Sequence, residues 1–262
     1  MSRVSKVTFQ NYKTSVFKAL DLLQAGQRLP KTGTIILKPN LILSSPPPVT
    51  TSVSIIEALY LYCKKHTNAE IIIGEGCGSG TTDDIYRVNG YVELANKYGI
   101  RLIDFNTTKT VRLSRDDTFH LKEFHIPEIV KDAFIISVPV LKDHLFTTTT
   151  LSMKNMFGIA PAPYYASGWN KSKLHFPSAD LSVVDVCLYK KPGLCLVDGA
   201  FGLTGSHLSG KKEKYNILLA SFDCVAVDAF GSLLLGHNPK EIEYLKRAHS
   251  VLGDMENIEV FE

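Results

Sequence analysis

The chain lacks a paired cysteine motif, a long apolar run and a block of charge of one sign, and each absence excludes a class of protein. Its five cysteines are scattered and form no C-x-x-C pair that could hold zinc or an iron–sulfur cluster. No apolar run approaches the roughly 20 residues that a membrane span needs, and the N-terminal stretch lacks the apolar segment of a signal peptide. These features predict a cytoplasmic protein without a membrane segment.

Charge is nearly balanced along the chain. The 29 basic and 26 acidic residues give a formal net charge of +3, and no stretch concentrates the positive charge. General binding to nucleic acid through phosphate neutralisation therefore has little support. With 262 residues the chain can bury a sizeable core. We expect one α/β domain over 1–262, with a smaller lobe or lid around 159–180, where the sequence is loop-like.

Apolar, β-branched runs alternate with stretches of helical periodicity along most of the chain. This alternation predicts an α/β fold, a mainly parallel sheet flanked by helices. In such sheets ligands bind beyond the carboxyl ends of the strands. The predicted strands cover residues 4–9, 34–37, 69–73, 100–105, 133–140, 194–197 and 215–220.

Polar residues stand at the predicted carboxyl ends of most of these strands. One shared site explains this pattern better than a series of coincidences, so we expect a functional site at that edge of the sheet. The residues are Lys38, Asn40, Glu75, Asp104, Lys142, His144, Asp198 and Asp223.

Lys142 and His144 are two apart after the most convincing buried strand, so an extended backbone points both to the same face. Either they form an anion clamp or a proton-transfer pair, or they are a solvated lysine and a hydrogen-bonded histidine. Lys38 and Asn40 flank Pro39, which follows the predicted strand at 34–37. Because proline cannot donate a hydrogen bond to a neighbouring strand, we expect that this strand does not continue as a central strand of the sheet. These two residues suit carboxylate or phosphate recognition, or simply form a strand exit.

Gly74 to Gly80 precede a helical stretch and offer backbone N–H groups to an anion, or serve only a tight turn. Within this loop Cys77 could be a nucleophile, although a small loop residue is the favoured interpretation. Glu75, Asp198 and Asp223, with His144, could ligate a divalent metal ion, or be separate turn and cap acids.

Six segments along the chain form a joint pattern: KPN at 38–40, GEG at 74–76, VPVLKDH at 138–144, TLSMKNMFG at 150–158, VDG at 197–199 and LLASFDCVAVDAFGSLLLG at 218–236. With these segments the chain resembles the domain-of-unknown-function family 362 over nearly its whole length. Members of that family are sometimes fused to a ferredoxin-like module, and no settled activity comes with the likeness. It implies that Lys154, Asn155, His175, Asp185 and Asp228 belong to the family's motifs.

Two departures from the family pattern stand out. Thr204, His207 and Leu208 occupy positions where the family usually has an acidic residue and a Gly-Pro pair, which puts the chemistry of this loop in doubt. The chain also has no ferredoxin cysteines, so it holds no iron–sulfur cluster of the usual type. Any electron transfer would need a separate ferredoxin-like partner.

The leading hypothesis is an enzyme that acts on a small anionic molecule, a carboxylate or a phosphate. It would be a metal-assisted isomerase, a lyase or a redox-linked enzyme. The alternative is a non-catalytic partner or cofactor-handling protein that works with a separate iron–sulfur protein. The assigned roles are catalysis by Lys142 and His144; substrate binding by Lys38, Asn40, Lys154, Asn155 and His175; and metal binding by Glu75, Asp198 and Asp223.

Overall fold

The computed structural model describes residues 1–262. Most of the chain belongs to one mixed sheet and to the helices that cover its two faces. The strands are β1 (Ser2–Thr8), β2 (Thr34–Pro39), β3 (Glu70–Glu75), β4 (Leu102–Asp104), β5 (Thr110–Ser114), β6 (Glu123–Pro127), β7 (Phe134–Val138), β8 (Val140–His144), β9 (Thr148–Thr150), β10 (Leu194–Thr204), β11 (Lys211–Glu213), β12 (Ile217–Ser221) and β13 (Ile258–Phe261).

The helices vary from single turns to fourteen residues. They are α1 (Tyr12–Leu22), α2 (Ala25–Arg28), α3 (Val53–His66), α4 (Thr82–Val88), α5 (Tyr91–Tyr98), α6 (Glu128–Asp132), α7 (Ser152–Asn155), α8 (Ala162–Tyr165), α9 (Ala179–Tyr189), α10 (Cys224–Leu234) and α11 (Glu243–Ala248). Short 3-10 helices cover Met156–Ile159, Ser172–His175 and Pro239–Glu241.

The main sheet has the strand order β13-β1-β12-β10-β7-β2-β3-β4. Strands β10, β7, β2, β3 and β4 run parallel to one another, whereas β12 is antiparallel to both of its neighbours. The predicted α/β fold with a mainly parallel sheet and flanking helices is therefore confirmed.

Apolar side chains fill both faces of the sheet, as expected for strands covered on two sides. On one face Leu20 of α1 and Leu59 of α3 are fully buried against strand residues such as Ile35. On the other face Val184 of α9 and Val227 of α10 pack in the same way. No helix is both long enough and apolar enough to cross a bilayer.

Two prolines shape the site in ways that differ from the sequence prediction. Pro39 does not keep β2 at an edge, because β2 lies between β7 and β3 and the proline is its last residue, opposite Val138. Its missing N–H therefore costs no ladder bond inside the strand. The run predicted as one strand over 133–140 is interrupted at Pro139, after which β8 begins.

After this interruption β8 pairs in parallel with β10, at Asp198 and Leu203, and forms an antiparallel hairpin with β9. Lys142 lies opposite Thr150, and His144 lies opposite Thr148. Three of the four consecutive threonines at 147–150 thus form β9. The polar stretch over 109–122 leads into a second hairpin, since β5 and β6 pair as a separate antiparallel sheet.

Candidate functional site

A buried ion pair joins the carboxyl ends of two central parallel strands. Lys38, the last residue but one of β2, donates from Nζ to the carboxylate of Glu75, the last residue of β3, and both side chains are buried. Asn155 Oδ1 accepts a further bond from the same ammonium at 3.2 Å. Burial raises the pKa of Glu75, and the adjacent Lys38 charge opposes this effect. The two side chains are therefore held in place by their ion pair and by the hydrogen bond from Lys38 to Asn155 of α7.

Lys142, on β8, is also fully buried. Its ammonium donates to Asn40 Oδ1 and to the Val49 carbonyl oxygen, each at 2.7 Å. Neither acceptor is charged, so burial alone lowers the pKa of Lys142 to about 7. Near neutral pH this lysine populates both its charged and its neutral form.

Lys154 is held by α7 and faces the same region. Its ammonium makes no hydrogen bond within the chain and lies 3.7 Å from the centre of the Phe157 ring. Burial, with a smaller contribution from the charge of Lys142, lowers the pKa of Lys154 to about 7. Asp228 fixes the backbone here, because its carboxylate accepts the N–H groups of Ser152 and Met153 at 2.7 and 2.9 Å.

Three histidines stand beside the lysines. His144 and His207 stack with ring centres 4.1 Å apart, and His175 lies 6.4 Å from His144. Nδ1 of His144 accepts the backbone N–H groups of Phe146 and Thr147, so the ring proton resides on Nε2. Burial lowers the pKa of all three rings, to about 4 for His175 and His207. The imidazoles are therefore neutral near pH 7.

These side chains line one cavity of about 460 Å³. Of the residues assigned to catalysis and substrate binding, all but Lys38 contribute to its wall, and Lys38 lies behind Glu75. Glu75 is the only acidic residue of the wall, against three lysines. The basic and amide residues of the wall are Asn40, Lys142, His144, Lys154, Asn155, Asn170, Lys171, His175 and His207.

The three carboxylates assigned to a metal ion do not meet. Strands β7 and β2 separate β10 from β3, so Asp198 is about 14 Å across the sheet from Glu75, given strand spacings of about 4.8 Å. Asp198 instead accepts a bond from the Tyr12 hydroxyl at 2.8 Å. No set of three or more His, Cys, Asp and Glu side chains is arranged to hold a metal ion.

Asp223 lies away from the cavity because of the direction of the strand that precedes it. It follows β12, which runs antiparallel to β10, so it lies at the opposite edge of the sheet from the cavity. There it caps α10 by accepting the N–H groups of Val225 and Ala226, and it also binds Ser2. The predicted metal set of Glu75, Asp198 and Asp223 is therefore wrong as a single site.

The glycine-rich loop after β3 serves close packing at the edge of the cavity. A Cβ on Gly76 would meet the Gly158 carbonyl oxygen at 2.7 Å and Lys171 Nζ at 3.0 Å. Cys77 is buried, and burial raises the pKa of its thiol, which donates to the Gly80 carbonyl oxygen. A reactive thiolate at this position is not supported.

Two wall residues were missed as site residues by reasoning from the sequence. Lys171 is buried, and its ammonium donates to Asn106 Oδ1 and to the Ala160 carbonyl oxygen. Burial lowers the pKa of Lys171 to about 8. His207 lies in the loop between β10 and β11. Their signals in the sequence were an unusually long loop and a departure from the family pattern.

A family model described as a domain of unknown function, DUF362, matches residues 35–232. The chain belongs to the DUF362 family. The matched range includes every residue of the cavity wall. Among curated proteins this DUF362 chain is similar to the thylakoid-associated protein sll1697 of Synechocystis sp., with 24% identity over 212 residues. That match covers 79% of this chain and 64% of the relative, so the chain spans less than two thirds of its length.

Proposed function

We propose that the protein is an enzyme that binds a small carboxylate or phosphate in this cavity and transfers a proton to or from it. The observation that carries the proposal is a group of hydrogen-bond donors around one concave space. The Lys154 ammonium lies over the Phe157 ring without a hydrogen bond within the chain, and Thr150 Oγ1 is buried without a hydrogen-bond partner. Lys142 keeps one ammonium hydrogen beyond its two acceptors. An anion would pair with all of these groups at once.

Lys142 is the proton-transfer group in this proposal. A pKa of about 7 lets it act as acid or base near neutral pH, and its acceptors Asn40 and Val49 fix its position. His144 assists as a neutral donor through Nε2, since the backbone occupies its Nδ1. Lys154 carries most of the affinity for the anion.

Glu75 has a positioning role rather than a metal-binding one in this proposal. Its carboxylate accepts from Lys38, and the pair supports Asn155 at the cavity wall. A ferredoxin-like partner remains a prediction. Capture of an iron–sulfur protein by this chain from extracts of its host would support that alternative.

Isothermal titration with inorganic phosphate and with malonate tests the binding step. A Lys154→Met variant should bind each anion at least about tenfold more weakly, because it loses a charge-assisted bond. Lys64→Met is the matched control, since Lys64 is exposed on α3, away from the cavity. Affinity should also fall as pH rises through about 7, where Lys142 and Lys154 lose their protons. Phosphate and malonate affinities that are equal in the wild type and Lys154→Met would contradict the proposal.

Proton transfer requires a second measurement. Short 2-keto acids incubated with the protein in D₂O should gain deuterium at the carbon beside the carbonyl, as followed by proton NMR. Lys142→Met should abolish this exchange, whereas Lys64→Met should retain it. An exchange rate in Lys142→Met equal to that of the wild type would exclude Lys142 as the proton-transfer group.

A further inference from the structure

The mouth of the cavity is chemically unlike its floor. Four large apolar side chains border the cavity while remaining largely open to solvent. We call them the collar: Leu145 is 79% exposed, Phe146 54%, Trp169 48% and Leu208 41%. Single apolar residues on a surface need no explanation, but a contiguous group around a concave site marks a binding surface.

Three separate loops build the collar. Leu145 and Phe146 occupy the turn between β8 and β9, Trp169 follows α8, and Leu208 lies between β10 and β11. His175 joins two of these loops, because its ring lies 5.4 Å from the Phe146 ring and 5.9 Å from the Trp169 ring. Phe146 and Trp169 therefore form one surface through His175, and Leu208 follows His207, whose ring stacks on that of His144 at 4.1 Å.

The floor below the collar presents donors and positive charge. The Thr150 hydroxyl is buried without a hydrogen-bond partner, and Thr150 is 5% exposed. The Lys154 ammonium lies 3.7 Å from the centre of the Phe157 ring and makes no hydrogen bond within the chain. The single acidic wall residue, Glu75, is already engaged with Lys38. A ligand that satisfies the floor must carry an anionic group, and a ligand that covers the collar must carry an apolar group.

We propose that the cavity takes an anionic amphiphile, with a carboxylate or phosphate head on Lys154 and Thr150 and an apolar chain or ring across the collar. This inference rests on the proposed function for its anionic head and adds the apolar body. Neutral His144, His175 and His207 stand between the two regions and offer ring faces that an apolar segment can contact. Such a ligand satisfies donors and buries exposed apolar surface in a single binding event.

Titration with octyl phosphate below its micellar concentration, compared with inorganic phosphate, tests the inference. Octyl phosphate should bind at least about tenfold more tightly, which corresponds to burying roughly two methylene groups. The double variant Phe146→Ser/Trp169→Ser should remove this advantage and leave the affinity for inorganic phosphate unchanged. Leu233→Ser is the matched control, because Leu233 is also 54% exposed but lies on α10 outside the cavity wall.

The outcomes separate this inference from the proposed function. Inorganic phosphate that does not bind the wild type would refute the proposed function. Phosphate that binds as tightly as octyl phosphate would refute the collar's role alone. Vesicles of phosphatidylcholine with and without phosphatidic acid identify the source of the head group. If only vesicles that contain phosphatidic acid capture the protein, and octyl phosphate reverses the capture, the ligand is a membrane lipid with this head group. If the protein binds octyl phosphate but no vesicles, the ligand is a free amphiphile.

Discussion

Replacing Lys154 by methionine should change how the free energy of unfolding depends on pH. Burial lowers the pKa of this lysine from 10.5 to about 7 in the folded protein. In the unfolded chain the side chain stays protonated until the pH approaches 10.5. Between these two values the unfolded state binds more protons, so the stability of the wild type rises as pH increases. Below about pH 7 both states hold the proton, and this dependence disappears.

The size of this change in unfolding free energy follows from the lowered pKa of Lys154. One buried lysine contributes about 1.4 kcal/mol per pH unit within this window, or on the order of 5 kcal/mol across all of it. Methionine is similar in length to lysine and carries no charge. Because the Lys154 ammonium makes no hydrogen bond within the chain, the substitution leaves no acceptor unpaired. The variant should therefore be more stable than the wild type near pH 7, and the difference should shrink as pH rises towards 10.5.

Urea unfolding at a series of pH values from 6.5 to about 10 measures this difference. Far-ultraviolet circular dichroism is the suitable signal, because the only tryptophan, Trp169, lies in the collar and reports on one loop. The exposed-lysine control Lys64→Met should give a curve parallel to the wild type. A constant difference between Lys154→Met and the wild type from pH 7 to 10 would refute the reasoning.

Two further substitutions test the Lys38–Glu75 ion pair and the position of the Asp198 carboxylate outside the cavity. In Gly158→Ala the added methyl group would meet the Glu75 carboxylate and the Lys38 ammonium, so separation of the pair should lower the urea-unfolding free energy by about 3–5 kcal/mol. Tyr12→Phe removes the hydroxyl that donates to Asp198 and should cost about 1–3 kcal/mol. Phosphate affinity should not change in Tyr12→Phe, and a large loss would mean that Asp198 belongs to the binding site.

The sequence predicts the sheet, and the closeness of Lys38 to Glu75 within it, for a simple reason. Parallel strands bring their carboxyl ends to one edge, so Lys38 and Glu75 at the ends of adjacent strands had to be neighbours. The spacing of Lys142 and His144 likewise requires a common face in any extended segment. These inferences depend only on local backbone geometry.

The wrong predictions arise where local geometry does not decide the outcome. Asp223 follows a strand whose direction is reversed, and no periodicity in its sequence distinguishes an antiparallel strand from a parallel one. Asp198 lies on a strand with the expected direction, but two strands, β7 and β2, separate that strand from β3, and only the strand order determines this separation. Lys171 and His207 reach the cavity from irregular loops, whose paths no repeat in the sequence predicts.

The break between β7 and β8 at Pro139 also determines which segment of the site can be exchanged as a unit. Within the seven residues that follow it, the chain supplies both the buried Lys142 and the solvent-facing Phe146. Because β8 and β9 form a hairpin that joins the sheet through β10, outside the main strand order, the segment 140–150 is a natural unit for exchange between family members. Transplanting it would alter the preference for the charged end and for the apolar end of a ligand together, while the order of the central strands is preserved.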